Sequence, residues 1–215
     1  MKLIRKNKVN AKKALVGSPT GLNVIHSSLG VAVVEIAIPF SEEEIQYHKV
    51  HDMTESSSTQ SKMFYGKAGH SSHPRIGANA SVNMLDYLTQ LPEGIAVMDI
   101  EGGIDFSSVP ESAVLEIDIV GAFKHQTISG KIKNIVSELK LVEKEFSKYP
   151  SEGFNPDVPT MNIGRIRTFE DHVRLRGCCH ITPSVGEETY QQWMTMLKAA
   201  CASVGATFRI TDYKP

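Results

Sequence analysis

The chain has 215 residues, 41% of them hydrophobic, and a formal net charge of −1. That length and apolar content support one large domain or two small ones around a real core, and the near-neutral charge implies no general attraction to nucleic acid or to an anionic membrane. No apolar run approaches a membrane span, the start M-K-L-I-R-K-N-K lacks the apolar middle of a signal peptide, and the three cysteines (Cys178, Cys179, Cys201) are too few for a disulfide framework, so a reduced, cytoplasmic protein is expected.

In chain order, Met1 to Lys13 carry six Lys or Arg and read as a solvated start or a cut end. Ala14 to Thr20 (A-L-V-G-S-P-T) reads as a short strand running into a turn. Gly30 to Phe40 is rich in β-branched residues and alternates from Val34 onward, which predicts a strand with one face buried. Residues 41–62 are polar, with E-E-E and S-S-S-T-Q-S tracts and no apolar period, and read as an exposed insertion. His48 and His51 lie in it at i, i+3 spacing beside Asp52, a conceivable metal site on a segment with no rigid scaffold.

Tyr65 to Asn79 reads Y-G-K-A-G-H-S-S-H-P-R-I-G-A-N. A short strand ends here, Gly66 and Gly69 permit tight backbone where side chains would clash, and Pro74 and Gly77 punctuate a loop before a helix begins near Ala78. His70 therefore sits where a strand stops and a loop opens, a position that displays functional groups but also suits a histidine bonded only to the backbone.

The first helix, about 78–90, places Ala78, Val82, Leu85 and Leu88 on one face, with Asn79 and Asn83 as caps or cleft residues. Ile95 to Glu101 and Ser112 to Val120 read as an antiparallel pair of strands. The second helix, 127 to about 148, holds a 3.6-residue period through Ile128, Ile132, Ile135, Val136, Leu139, Val142 and Phe146. After a Pro/Gly loop come strands at 161–167 and 174–181, a helix at 187–203 with Tyr190, Trp193, Met194, Leu197, Ala200, Cys201 and Val204 inward, and a closing strand at 206–210.

A shift of 62 residues carries Ile104, Ile117 and Ile119 onto Ile166, Cys179 and Ile181, and Ile128, Ile132, Ile135 and Leu139 onto Tyr190, Met194, Leu197 and Cys201. One offset kept across two strands and a helix predicts a repeated β-β-α unit, about 95–148 and 159–204. The fold class is α+β, an antiparallel sheet with helices on one face.

From Gly66 to Ala80 the chain resembles the lid, or dimerisation, domain of the zinc-dependent aminoacylase, carboxypeptidase G and acetylornithine deacetylase family, whose members carry G-K-x-x-H-[SA]-[SA]-x-P-x-x-G-x-N-A. The resemblance implies a ferredoxin-like lid over 21–215, extended here by the repeat, with 1–20 the remnant of a junction to a catalytic domain. It implies that His70 reaches into an active site, commonly a partner subunit's, and helps stabilise a tetrahedral oxyanion. It also implies a homodimer, or an internal pseudo-dimer of the kind that a doubled lid forms in some dipeptidases.

The zinc half of the family needs an H-x-D pair, a bridging aspartate, a Glu-Glu pair and a distal histidine. This chain has no H-x-D, its Glu187-Glu188 opens a helix where acids suit the helix dipole, and Ser18 stands where the family's junction glutamate binds zinc. No metal site is therefore expected in the chain. Zinc is expected in a catalytic domain supplied in cis or in trans.

Family lids also carry an asparagine in a G-G turn and an arginine that grips the substrate carboxylate. Ser107 stands at the asparagine position, Val120 near the arginine position of the first copy and Thr182 at that of the second. Ser107, Asn79 and Arg165 are candidate substrate-binding residues, Arg165 belonging to a cluster with Arg167, Arg174 and Arg176. Two functions compete on this reading: a lid serving a zinc amidohydrolase of N-acyl amino acids or small peptides, and a degenerate module that only oligomerises or binds a small ligand.

Overall fold

The computed structural model describes residues 27–54, 59–92, 94–121, 123 and 125–215. The expected junction at 1–20, Ser18 included, lies outside them. In chain order the elements are β1 (Gly30–Pro39), α1 (Glu42–Thr54), β2 (Gln60–Tyr65), β3 (Gly69–His70), α2 (Ala80–Leu88), β4 (Ile95–Gly102) and β5 (Ser108–Val109). There follow β6 (Ser112–Ile119), α3 (Ile128–Glu145) with a 3-10 turn at Phe146–Lys148, β7 (Thr160–Thr168), β8 (His172–Ile181), α4 (Glu187–Ser203) and β9 (Thr207–Lys214). No described helix is long and apolar enough to cross a membrane.

Seven strands make one antiparallel sheet in the order β2-β6-β4-β7-β8-β1-β9, and β3 pairs with β5 in a separate ribbon. Strand alternation puts the row Ile36, Leu175 and Ile166 on one face, in one core with α2, α3 and α4. The period of α3 predicts its buried stripe: Ile128, Ile132, Ile135, Val136, Leu139 and Val142 all turn inward.

The strand order is a palindrome. β2-β6-β4 on one side answers β1-β8-β7 on the other, and each trio comes from a chain segment running strand, helix, two strands, helix. The unit β2-α2-β4-β6-α3 is thus inserted into a second unit, between its α1 and its β7. The two units meet edge to edge where Glu101 faces Arg167 and Gly102 faces Ile166. Glycine makes that approach possible: a Cβ on Gly103, whose φ is +65°, would collide with the Gly164 carbonyl.

The repeat is real, but its fixed offset is not. β4 and β7 begin at 95 and 160, α3 and α4 at 128 and 187, so the intervening turns differ in length. The helix positions matched by the shift are all buried, whereas Ile104 is 83% exposed in a turn and Ile119 is 72% exposed at the end of β6. The shift pairs both with buried residues, Ile166 and Ile181, so the correspondence fails there. On α2 the buried residues are Ala80, Ser81, Met84, Leu85 and Leu88, and the helix, capped by Asn79, starts two residues later than the periodicity suggests.

The segment 41–62 is also corrected: residues 42–54 are helical and 60–65 form an edge strand. Helix α1 is held by polar groups rather than by an apolar stripe. Ser41 and Glu44 form a capping box, with the Ser41 amide donating to Glu44 Oε2 (2.9 Å) and the Glu44 amide to Ser41 Oγ (3.3 Å). Glu44 is wholly buried, and its Oε1 accepts from the Ile128 amide (2.8 Å), so one carboxylate caps α1 and α3 together.

Glu44→Ala should therefore cost about 2 kcal/mol, from one lost cap and one orphaned buried amide. Thermal unfolding followed by circular dichroism should show a Tm lower by roughly 4–8 °C. His48 donates to the Val97 carbonyl (2.9 Å), and His51 lies 3.2 Å from the buried Asp118. The two rings face different partners, and the described residues hold no group of three or more His, Cys, Asp or Glu placed to bind a metal.

Candidate functional site

The loop from Gly66 to Asn79 is fixed at both ends. Lys67 and Ala78 exchange backbone hydrogen bonds (2.8 and 3.3 Å), and the Asn79 side chain accepts from the Val82 amide (3.0 Å) as the N-cap of α2. Between these ends the β3–β5 ribbon sets Gly69 opposite Val109 and His70 opposite Ser108. Next along, the Ser71 amide donates to the Ser107 carbonyl (3.0 Å).

His70 is exposed at this rim. The Ser72 amide donates to its Nδ1 (3.2 Å), which makes that nitrogen an acceptor and leaves the ring proton on Nε2. The Ser72 hydroxyl lies 2.8 Å from Nδ1 of both His70 and His73. A solvent-facing imidazole whose orientation is fixed from behind is a hydrogen-bond donor ready for an incoming oxygen.

Behind the loop stands a second histidine that the sequence reading gave no role. His180 on β8 is 8% exposed, sits 3.0 Å from the Ser71 hydroxyl, and its ring centroid is 6.0 Å from that of His70. Ser71 is buried as well, so this serine–histidine pair anchors the loop on β8 and presents no nucleophile. The nearby Cys178 thiol is raised above its ordinary pKa by burial, and burial pushes Cys179 up to about 12.

Burial, with the positive fields of His70 and His73 behind it, lowers the His180 pKa below its ordinary 6.5. Above pH 6.5 the ring is neutral both folded and unfolded, and its contribution is whole. As pH falls below 6.5 the unfolded chain takes up the proton first, so stability declines until the folded pKa is reached. Denaturant midpoints measured from pH 7.5 to 5 should fall more steeply for the native chain than for His180→Gln.

The loop belongs to the inserted unit, but its supports come from the outer one. Asn162 on β7, 1% exposed, donates to the carbonyls of Phe106 (3.1 Å) and Ser108 (2.9 Å), and the Thr160 hydroxyl donates to the Ser72 carbonyl (3.1 Å). Asn79 Nδ2 donates to Asn162 Oδ1 and to the Ile163 carbonyl, both at 3.0 Å. With its oxygen capping α2, the whole Asn79 amide is occupied in joining the two units.

Of the other candidates, Ser107 is exposed beside His70, its amide donating to Asp105 (2.8 Å). That bond is the main cause holding the Asp105 carboxyl below its ordinary pKa. Thr182 is buried and donates to the Tyr149 carbonyl (3.0 Å). Arg165 is exposed on the sheet face turned away from the helices, and its charge reaches Asp105. An apolar groove of about 230 Å³ between α2 and α3 is lined by Pro74, Leu85, Val136 and Met161 among others, and does not include His70.

The sequence profile of the peptidase dimerisation domain matches residues 56–147, bounds that enclose β2 through α3. Among solved structures, the aminoacylhistidine dipeptidase of Vibrio alginolyticus matches with 12% identity and a TM-score of 0.58, covering 87% of this chain and 44% of that one. The chain thus spans less than half the length of that protein, and the likeness is one of fold, embracing both units. An aminobenzoyl-glutamate utilization protein from Klebsiella pneumoniae matches with 12% identity and a TM-score of 0.21, covering 85% of this chain and 27% of that one. No curated protein sequence matches. The profile takes in one complete β-α-β-β-α unit with the His70 loop inside it, so residues 56–147 of this chain are similar to the peptidase dimerisation domain.

Proposed function

We propose that the chain is the lid of a zinc-dependent amidohydrolase acting on N-acyl amino acids or small peptides, and that His70 donates from Nε2 to the oxygen that becomes negative in the tetrahedral intermediate. The observation that carries this reading is the presentation of His70: a solvent-facing ring on a two-residue strand, its Nδ1 already holding the Ser72 amide. A donor fixed before reaction stabilises developing charge without reorganising. The match of residues 56–147 to the peptidase dimerisation domain supports it.

In this reading, self-association is internal. The β4–β7 edge pairing brings two like units together inside one chain, as a dimer would bring together two lids. Zinc does not fit the described residues, so it would be held by a catalytic domain in cis or in trans, where it would activate the attacking water.

A second reading, a binding or oligomerisation module with no catalytic role, draws on Thr182 and Asn79, both occupied structurally where a substrate contact was expected. Joining the chain to a catalytic half of the same family and replacing His70 separates the two. The lid reading requires a large loss of kcat, and the module reading requires none.

A further inference from the structure

The sheet face turned away from the helices carries an unusual grid. Register places Arg165 directly opposite Arg176 and Arg167 opposite Arg174. Continuing onto the neighbouring strands, Glu35 lies opposite Arg176, Ala37 opposite Arg174 and Glu101 opposite Arg167. Side chains directly opposite on an antiparallel pair stand close together, and like charges there destabilise the sheet. Two such Arg–Arg pairs side by side work against the fold.

Their counter-charge is incomplete. Arg167 forms an ion pair with Glu101, but among the described residues no carboxylate lies within ion-pair distance of Arg165, Arg174 or Arg176. Glu35 and Glu101 stand opposite Arg176 and Arg167 across the strands, while Asp105, toward Arg165 and Arg176, and Asp171, toward Arg174, act only at longer range.

The guanidiniums are also held in place. Arg174 stacks on Phe169 (4.4 Å to the ring centroid) and donates to His172 (3.2 Å), while Arg176 stacks on Phe106 (4.9 Å). The Nε atoms of Arg174 and Arg176 are buried with no hydrogen-bond partner. These side chains, with Glu35, Arg165, Arg167 and Phe169, enclose a cavity of about 100 Å³.

We propose that this cavity is a binding site for a small dianion with terminal oxygens, a phosphate or a dicarboxylate, held between Arg165, Arg174 and Arg176. Planar forks stacked on aromatic rings match such oxygens bidentately. The aromatic supports fix the Arg174 and Arg176 forks in advance. The site does not depend on the lid reading, since none of its residues belongs to the His70 loop.

The test is a calorimetric titration of the 215-residue chain with inorganic phosphate and, separately, succinate, at an ionic strength held constant with sodium chloride. One-to-one binding of either probe, with a Tm rise that chloride does not reproduce, is the expected result, and the preferred probe identifies the ligand source. Arg165→Gln and Arg176→Gln should each weaken binding at least tenfold. In phosphate-free and succinate-free buffer the same variants should keep or raise the Tm, because each relieves a like-charge pair. Absence of binding by both probes, stabilisation equalled by chloride, or undiminished binding by the variants would overturn the proposal. A merely structural cluster would instead lose Tm in plain buffer on the same substitutions.

Discussion

Replacing His70 with alanine in the chain joined to a catalytic half is expected, on the lid reading, to lower kcat by about 10²–10³-fold, the range for loss of one preorganised oxyanion donor. KM should change little, because the hydrogen bond strengthens only as the carbonyl oxygen becomes an oxyanion, and an interaction made in the transition state appears in kcat. The fold should not suffer. The ring is exposed, its contacts are to Ser72 in its own loop, and the strand bonds of Gly69 and His70 to β5 are made by backbone.

His70→Gln offers a control, since its amide also donates and should recover part of the loss. The measurement is steady-state hydrolysis of an N-acyl amino acid, with melting curves to show that the variants are folded. A kcat within twofold of the native value for His70→Ala would remove the lid reading and leave the non-catalytic module.

The parts of this fold that were legible in the sequence are those where burial and period coincide. Helix α3 shows its stripe because each buried isoleucine faces the sheet, and the bounds of α4 agree with the reading at both ends, Gly186 preceding it and Val204 with Gly205 closing it. Helix α1 was not legible by that signal. Its stability rests on Ser41 and Glu44, a capping-box spacing present in the sequence but overshadowed by the absence of an apolar period.

The nesting of one unit inside the other was hidden for a different reason. A repeat whose first strand and helix are separated from the rest by a whole inserted unit has no constant offset to detect. The candidate site divides in the same way. The loop and His70 could be read from local chemistry, whereas the supports Asn162, Thr160 and His180 lie about ninety residues or more away and enter only through strand pairing. The two arginine pairs were visible as a cluster, but their direct opposition depends on the bulge at Gly164, which no local pattern announces.

Two glycines of one motif give the sharpest test of how the loop is built. Both read alike in sequence, as positions where a side chain would clash, yet the structure separates them. A Cβ on Gly66 would meet the Ala78 carbonyl, with the Pro110 oxygen at 2.7 Å and the Ala80 nitrogen at 2.8 Å, all of them backbone that cannot swing aside. A Cβ on Gly69 would meet only the Val109 side chain, at 3.7 Å, an ordinary contact. Gly66→Ala should therefore push β2 away from the N-terminus of α2 and break the Lys67–Ala78 bonds, costing about 4 kcal/mol, at the upper end for a single substitution. The corresponding Tm loss is roughly 8–16 °C for a chain of this size. Gly69→Ala should stay within about 0.5 kcal/mol of the native chain, as an accommodated substitution does. Thermal and urea denaturation of the two variants side by side decides the matter. Equal losses would mean that the loop is held by its general composition, whereas a loss confined to Gly66 would place its anchor at the crossing of β2 with the start of α2, the point from which His70 is aimed.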